Sequence, residues 1–317
     1  MKKLLAGAFA CLIAAMSWGA MFPVADHALQ FIDPFYFSTI RYGTVTLLLI
    51  ILLAWKEGLK AFRLEGKALS LLFFGTMAFT VYNILIFLGQ SMMGQAGVMV
   101  ASIMETIMPV ITMLLIWLVY RARPKNYMLI SMTIAFIGAV LVITKGDFAF
   151  FGTFSSNALP ILFIFIGVTG WVIYTMGGQA FKGWSTLRYS TLTCAAGTSV
   201  TALLTAGLTV QGSIQLPTFA TLQIIKFDML FMITLPGLVA LLSWNYGIKI
   251  LTSLNGILFI NFVPLTTLAI MLVQGYQITV FDVMGTLLVI TALVGNNLYQ
   301  RHEQHLKIRV KKGVPVT

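Results

Sequence analysis

Apolar residues fill this chain in long runs broken by short polar stretches, and the runs have a common length. Ten of them can be drawn, at approximately 4–25, 36–55, 68–89, 96–119, 127–145, 158–180, 187–210, 228–250, 253–274 and 279–299. As a helix rising 1.5 Å per residue, each is long enough to cross ~30 Å of hydrocarbon. The connections are too short for a soluble domain. The longest is about 211–227, and the other sizeable polar piece is the tail at 300–317. The pattern predicts an all-α membrane protein of ten transmembrane helices.

Composition turns that pattern into an exclusion. Of 317 residues, 59% are hydrophobic and 9% charged, and the mean hydropathy is +0.95. A soluble globular chain carries roughly a quarter charged residues. So few polar groups cannot coat a water-exposed particle of this length, which excludes a soluble enzyme, a secreted disulfide scaffold, a disordered chain and a DNA-binding module.

The net charge of +11 reads as a nucleic-acid signal only until the basic residues are placed. With the N-terminus in the cytoplasm, Lys2, Lys3, the 56–67 loop, Arg121, Arg123, Lys125, Lys182, Arg188, Lys249 and the basic tail from Arg301 to Lys312 all fall inside. Only Lys145 and Lys226 fall outside, and Arg41 lies within the second span. Lys/Arg asymmetry in short loops sets orientation, so the excess reports topology and contact with anionic lipid head groups. Both termini are expected in the cytoplasm, the lipid bilayer is the main partner, and no nucleic acid is implied.

Lys2-Lys3 before an apolar run also resembles a signal peptide. The run continues past Trp18 to Phe22, however, and removing it would leave an odd number of spans against the charge pattern. Cys11 and Cys194 lie inside spans without metal-ligand or CxxC spacing, so they read as small packing residues. Trp55, Trp117 and Trp184 come near cytoplasmic span ends, where amphipathic rings settle at the head-group layer.

The two halves can be laid over each other. Ile137–Thr144 matches Met284–Thr291, Tyr82-Asn83 answers Trp244-Asn245, Met108-Pro109 answers Val263-Pro264, and Trp18 answers Trp171. Five spans per half is odd, so the second half is expected to insert upside down, as in transporters that hold solute near the midplane between inverted repeats. The expected units are a first repeat at 1–150, a second at 151–300 and a basic cytoplasmic tail at 301–317.

The opening Trp18-Gly19-Ala20-Met21-Phe22-Pro23, followed by Asp33-Pro34 and Arg41, resembles the EamA-like branch of the drug/metabolite transporter superfamily. The mid-helix prolines of spans 4 and 9 and the Gly-led ends of spans 5 and 10 fit the same pattern. The resemblance covers nearly the whole chain and implies a ten-helix transporter, usually an exporter of amino acids, metabolites or drugs. The chain departs from it after the fourth and ninth helices. Such sequences often carry Gly-Glu there, and this one reads Tyr120-Arg121 and Gly275-Tyr276.

Only Glu105 and Arg41 are charged residues well inside spans, and a charge facing lipid at mid-depth costs at least ~2.5 kcal/mol. Glu105 would lie ~13 Å deep, near the midplane. Ser102, Glu105, Pro109 and Thr112 follow 3-4-3 spacing and share a helix face. Pro109 has no amide to bond the Glu105 carbonyl, so a free acceptor stands beside a carboxyl at a kink. That is a plausible proton or cation site, and the alternative is a neutral Glu hydrogen-bonded to a neighbouring helix. Arg41, an Arg position the family also has, is a gate or structural residue, by snorkelling to the surface or pairing with an acid. Pro109 and Pro264 belong to the same gating or structural group.

The expected solute site comprises Glu105 and Ser102 with Asn245, Asn261, Asn83, Trp18 and Trp171, though amides glue helices as readily as they bind solutes. Its one carboxylate predicts a solute with a cationic or amine group, with the Trp rings as cation–π walls. No catalytic set, metal site or cofactor is expected, and no Walker A element is present. The expected function is proton-coupled secondary export of a small organic solute by a monomer or homodimer in a bacterial cytoplasmic (inner) membrane. A passive facilitator, an uptake permease and an intramembrane enzyme remain the alternatives.

Overall fold

The computed structural model describes residues 2–121, 125–146, 154–251, 253–275 and 277–311. Arg123, Lys312, Tyr276 and the boundary expected at 150/151 lie outside them. The described chain is helical throughout, without strands. Its principal helices are α1 (Lys2–Leu29), α2 (Pro34–Glu57), α3 (Ala68–Thr76), α4 (Asn83–Met93), α5 (Gln95–Glu105), α6 (Met108–Tyr120), α7 (Asn126–Thr144), α8 (Phe154–Gly177) and α9 (Thr186–Val210). Short α10 (Phe219–Ile224), α11 (Lys226–Met232), α12 (Ala240–Leu251), α13 (Ser253–Gly256), α14 (Phe262–Val273) and α15 (Val280–Lys311) follow.

Among the described residues, six helical stretches are long and apolar enough to cross a membrane: Lys3–Leu29, Pro34–Glu57, Ala68–Met93, Ala158–Ala180, Thr186–Val210 and Lys226–Leu251. The α5–α6 pair, bent by 46°, makes up to seven. Three shorter apolar helices, Leu129–Val142, Phe259–Val273 and Val280–Ala292, fall where the remaining runs were expected. Large apolar side chains such as Leu47, Ile51, Leu69, Leu118 and Leu203 are exposed around the outside, as lipid-facing surface requires.

Several crossings have no room for side chains. A Cβ on Gly138 would stand 2.7 Å from the Gly285 carbonyl oxygen, and one on Gly285 would stand 2.5 Å from that of Gly138. Here α7 and α15 pack backbone to backbone, with Tyr127 against Tyr299 at one end and the Lys145–Asp282 ion pair at the other. The two therefore run antiparallel. Helices α2 and α9 also run antiparallel, tied by Tyr36–Thr209 (2.7 Å), Thr39–Thr205 (2.8 Å) and Thr46–Thr198 (3.3 Å). Such small-residue faces and hydroxyl bonds are how helices associate where lipid supplies no hydrophobic force.

Two spans are widened by π segments, Met77–Tyr82 between α3 and α4 and Ile233–Val239 between α11 and α12. Pro236 accounts for the second, because it has no N–H for the regular ladder. Two other spans are interrupted just before a proline. α5 stops at Glu105 ahead of Pro109, and a 3₁₀ turn at Ile257–Asn261 precedes Pro264. Pro23 sits inside α1 without interrupting it.

The 57–67 connection and the 180–188 segment are held together at one end of the molecule. Glu65 accepts bonds from Trp184 Nε1 (2.7 Å) and Arg188 (2.8 Å), Ser185 donates to Glu57 (2.6 Å), and Lys67 donates to the Ala180 carbonyl (3.0 Å). At the opposite end of the molecule, where α1 finishes and α11 begins, His27 pairs with Asp228 at 2.7 Å. Trp184 is no interfacial belt residue. It is 4% exposed, with the Arg188 guanidinium 3.9 Å above its ring. Position near a span end marked it for the belt, and the clasp buries it. Trp55, 79% exposed, is free to sit where the belt would put it.

The Trp184 and Arg188 hydrogen bonds hold the Glu65 carboxyl below the usual glutamate range. A lowered carboxyl stabilises the folded clasp above the unfolded value, and that contribution is lost as pH falls through the folded one. The clasp should therefore stay engaged through the ordinary carboxylate range and open only in stronger acid. Spin labels across the two segments would show that acid transition, and Glu65→Gln should abolish it.

Candidate functional site

The centre of the molecule is a row of aromatic rings crossing from one half of the sequence to the other. Trp18 on α1 packs edge-on against Trp171 on α8 at 5.1 Å between centroids. Trp18 touches Trp244 of α12 at 5.1 Å, and Trp171 touches Tyr82 at 5.1 Å. Order and spacing are those of two matching arms: α1 with the Trp244 span, α8 with the Tyr82 span. Trp18 Nε1 donates to the Pro236 carbonyl at 3.1 Å, a carbonyl within the π segment. All four rings are buried.

The two arms end differently. At the Tyr82 end the phenol donates a short hydrogen bond to Glu105 Oε1. Glu105 is fully buried, and its Oε2 has no hydrogen-bond partner. No Lys, Arg or His pairs with it among the described residues. The carboxyl sits on the last residue of α5, where Thr106 and Ile107 close short turns onto Ile103 and Met104 before Pro109 restarts the helix. Burying an unpaired charged carboxylate is costly, and a bound proton removes the charge. One acceptor atom is thus occupied by Tyr82 and the other is free for a proton or an amine N–H.

The helix-face argument for Ser102, Glu105, Pro109 and Thr112 loses its force in the fold. Every residue from Gly97 to Pro109 is buried, so α5 beyond its first two residues is enclosed all round and a shared face distinguishes nothing there. Ser102 turns its hydroxyl onto its own helix, donating to the Met99 carbonyl at 2.9 Å.

Arg41 is fully buried and does not snorkel. It donates from Nε to the Met232 carbonyl (3.2 Å) and from Nη1 to Asn83 Oδ1 (3.4 Å), while its guanidinium lies 4.6 Å from the Tyr42 ring centroid. No carboxylate pairs with it among the described residues, and Nη2 has no partner. Asn83 also donates to the Ala78 carbonyl at 2.7 Å inside the π segment. Arg41 and Asn83 therefore form one cluster that joins α2 to the spans containing both π segments.

Asn245 and Glu105 share no hydrogen-bond partner. Asn245 Nδ2 donates to the Tyr174 hydroxyl (2.7 Å) and to Ser190 (2.8 Å), and ring contacts lead on from Tyr174 to Trp171 and from Trp171 to Tyr82. Asn245 instead borders a cavity of about 430 Å³ beneath the clasp, with Phe181, Trp184, Tyr189 and Lys249 among its walls. Asn261 is buried with an unpartnered Oδ1, in the turn before Pro264. Cys11 and Cys194 are free, buried thiols.

Sequence reasoning missed Tyr82 as the partner of Glu105, and with it Tyr174, Ser190 and Gln90. Gln90 is fully buried, donating to the Phe22 carbonyl at 2.9 Å with Oε1 unpartnered. A glutamine and tyrosines inside apolar runs were the available signal.

The sequence profile of the EamA-like transporter family matches residues 5–144 and again 158–298. The uncharacterized transporter YrdR of Bacillus subtilis is 59% identical over all of this chain and 99% of its own length. A second protein of that organism, the uncharacterized transporter YyaM, is 26% identical over 87% of this chain and 88% of its own. One solved crystal structure, titled without a function, superimposes with a TM-score of 0.69 at 15% identity, covering 93% of this chain and 98% of that one. That last likeness shows a shared fold.

Proposed function

The chain belongs to the EamA-like transporter family, and from that premise we propose that it is a proton-coupled secondary exporter of a small organic solute. Ten spans in two inverted repeats, 1–150 and 151–300, rock about the aromatic row, with both termini in the cytoplasm of a bacterial cell and the chain in its cytoplasmic membrane. The reading is supported by the two profile matches, one per half, by the antiparallel run of α7 against α15 and α2 against α9, and by the matched Trp18–Trp244 and Trp171–Tyr82 contacts. Inverted repeats carry solute sites at their shared interface near mid-depth.

One observation carries the coupling: a fully buried carboxyl, held by Tyr82 through one oxygen and unpartnered at the other, on a broken helix. Glu105 exchanges a proton from outside for the amine of a departing solute. Trp18 and Trp171 wall the amine, Ser102 and Asn261 line the same level, and the breaks before Pro109 and Pro264 bend as access alternates. Arg41 and Asn83 fasten the spans that flank this movement.

Topology is open to a direct check. A C-terminal reporter active only in the cytoplasm should be active here, and a periplasmic reporter in its place should stay silent. Activity of the periplasmic reporter would overturn the inverted-repeat arrangement. Solutes are found by screening amines and amino acids for a rise in melting temperature, because a ligand that binds only the folded state stabilises it by mass action. Flux of each hit in proteoliposomes then tests the exporter reading.

A further inference from the structure

The cavity beneath the clasp is chemically unlike the centre of the molecule. Lys182 and Lys249 stand on its wall and no Asp or Glu does. Its aromatic side is formed by Phe181, Trp184 and Tyr189, packed on one another at 5.1 Å between centroids for Phe181–Trp184 and for Phe181–Tyr189. Ser185, the N-cap of α9, also borders it, its hydroxyl accepting from the Arg188 amide (2.9 Å) and donating to the Glu57 carboxylate (2.6 Å). Asn245 forms part of its buried lining.

Charge and aromatic surface favour one ligand class. The two ammonium groups attract an anion, and the rings favour a flat apolar body. The acids nearby are already engaged, Glu65 by Trp184 and Arg188 and Glu57 by Ser185. At about 430 Å³ the space is within the ordinary range for small-molecule pockets. We infer that this cavity is a binding site for an organic carboxylate with an aromatic or apolar body, anchored by Lys249 and Lys182. On the transport reading above, it is the cytoplasmic loading site, and the solute carries a carboxylate as well as the amine drawn to Glu105.

Three probes of equal size separate the possibilities: 3-phenylpropionate, 3-phenylpropionamide and 3-phenylpropylamine. Calorimetry on the purified full-length protein should show the acid binding, with the amide roughly tenfold weaker, the scale of a charge-assisted hydrogen bond, and the amine weaker still. Lys249→Gln with Lys182→Gln should erase the acid's advantage, and Lys249→Arg with Lys182→Arg should restore it. Equal binding of the three probes, or undiminished acid binding in the glutamine variant, would overturn the site. Lys249 donates to the Trp184 carbonyl at 2.9 Å, so each variant's melting temperature is compared with wild type. Loss of binding with the arginine pair, despite wild-type melting, would also count against it. The assay needs no flux, so a failed proteoliposome experiment would strike the transport reading and leave the carboxylate site standing.

Discussion

Glu105→Gln should abolish gradient-driven accumulation of solute while leaving the protein folded. The substitution keeps the shape and the acceptor for Tyr82 but removes the only group at that site that can carry a proton in one state and a charge in the other. Without it a pH gradient has nothing to act on, and accumulation should fall to the passive level. Solute-for-solute exchange, which needs no net proton movement, should persist. Tyr82→Phe should be milder, because it leaves the carboxyl in place without its donor. Losing one hydrogen bond to a charged group is worth about 1.5–3 kcal/mol, so roughly a tenfold or greater drop in coupled rate is expected. Paired assays of accumulation and exchange at several pH values would read both variants. A Glu105→Gln protein that still concentrates solute as well as wild type would make Glu105 a packing residue.

The second large effect is on stability. A Cβ on Gly197 would stand 2.1 Å from the Gly75 carbonyl oxygen, and one on Gly75 would stand 2.3 Å from the Thr193 carbonyl oxygen. Both obstacles are backbone, so no side chain can rotate out of the way. α3 and α9 would have to separate, breaking the Thr80 hydroxyl bond to the Gly197 carbonyl (2.9 Å) and the Thr201 bond to the Phe79 carbonyl (2.9 Å). Gly197→Ala should therefore cost about 3 kcal/mol, the upper range for overpacking. Gly207 lies on the same helix with nothing within 4 Å of its added Cβ. Gly207→Ala should be neutral or slightly stabilising, since alanine is the better helix former. Thermal denaturation of the two variants side by side would separate close packing from a general intolerance of change in α9.

Much of the arrangement was legible because lipid imposes long apolar runs and leaves few places for polar groups. Glu105 stood out as a charge far from any boundary, while the Trp18/Trp171 and Tyr82/Trp244 correspondences spoke only of equivalent positions in the two halves and not of the Trp18–Trp171, Trp18–Trp244 and Trp171–Tyr82 contacts that the fold makes. Pairings between spans were not legible. Tyr82 and Glu105 are 23 residues apart on different helices, and no periodicity within either run connects them. Asn245 looked equivalent to Asn83 by sequence. In the fold Asn83 serves Arg41 while Asn245 serves Tyr174 and Ser190, because the residues facing the two amides differ between halves. Arg41 could be read as snorkelling because it lies near a span end, yet its guanidinium bonds inward to Met232 and Asn83. Trp184 reads as an interfacial ring in the linear pattern, where its partners from the 57–67 connection are invisible.

The central claim is exchange of protons for solute through the interface between two halves. Its most direct test is uptake of a solute identified by thermal stabilisation into inside-out membrane vesicles, whose lumen corresponds to the outside of the cell. With an acidic lumen, protons leave as solute enters, so the account predicts accumulation above the external concentration and its collapse when an ionophore dissipates the gradient. Equilibration that ignores the gradient, or accumulation that requires an alkaline lumen, would contradict it.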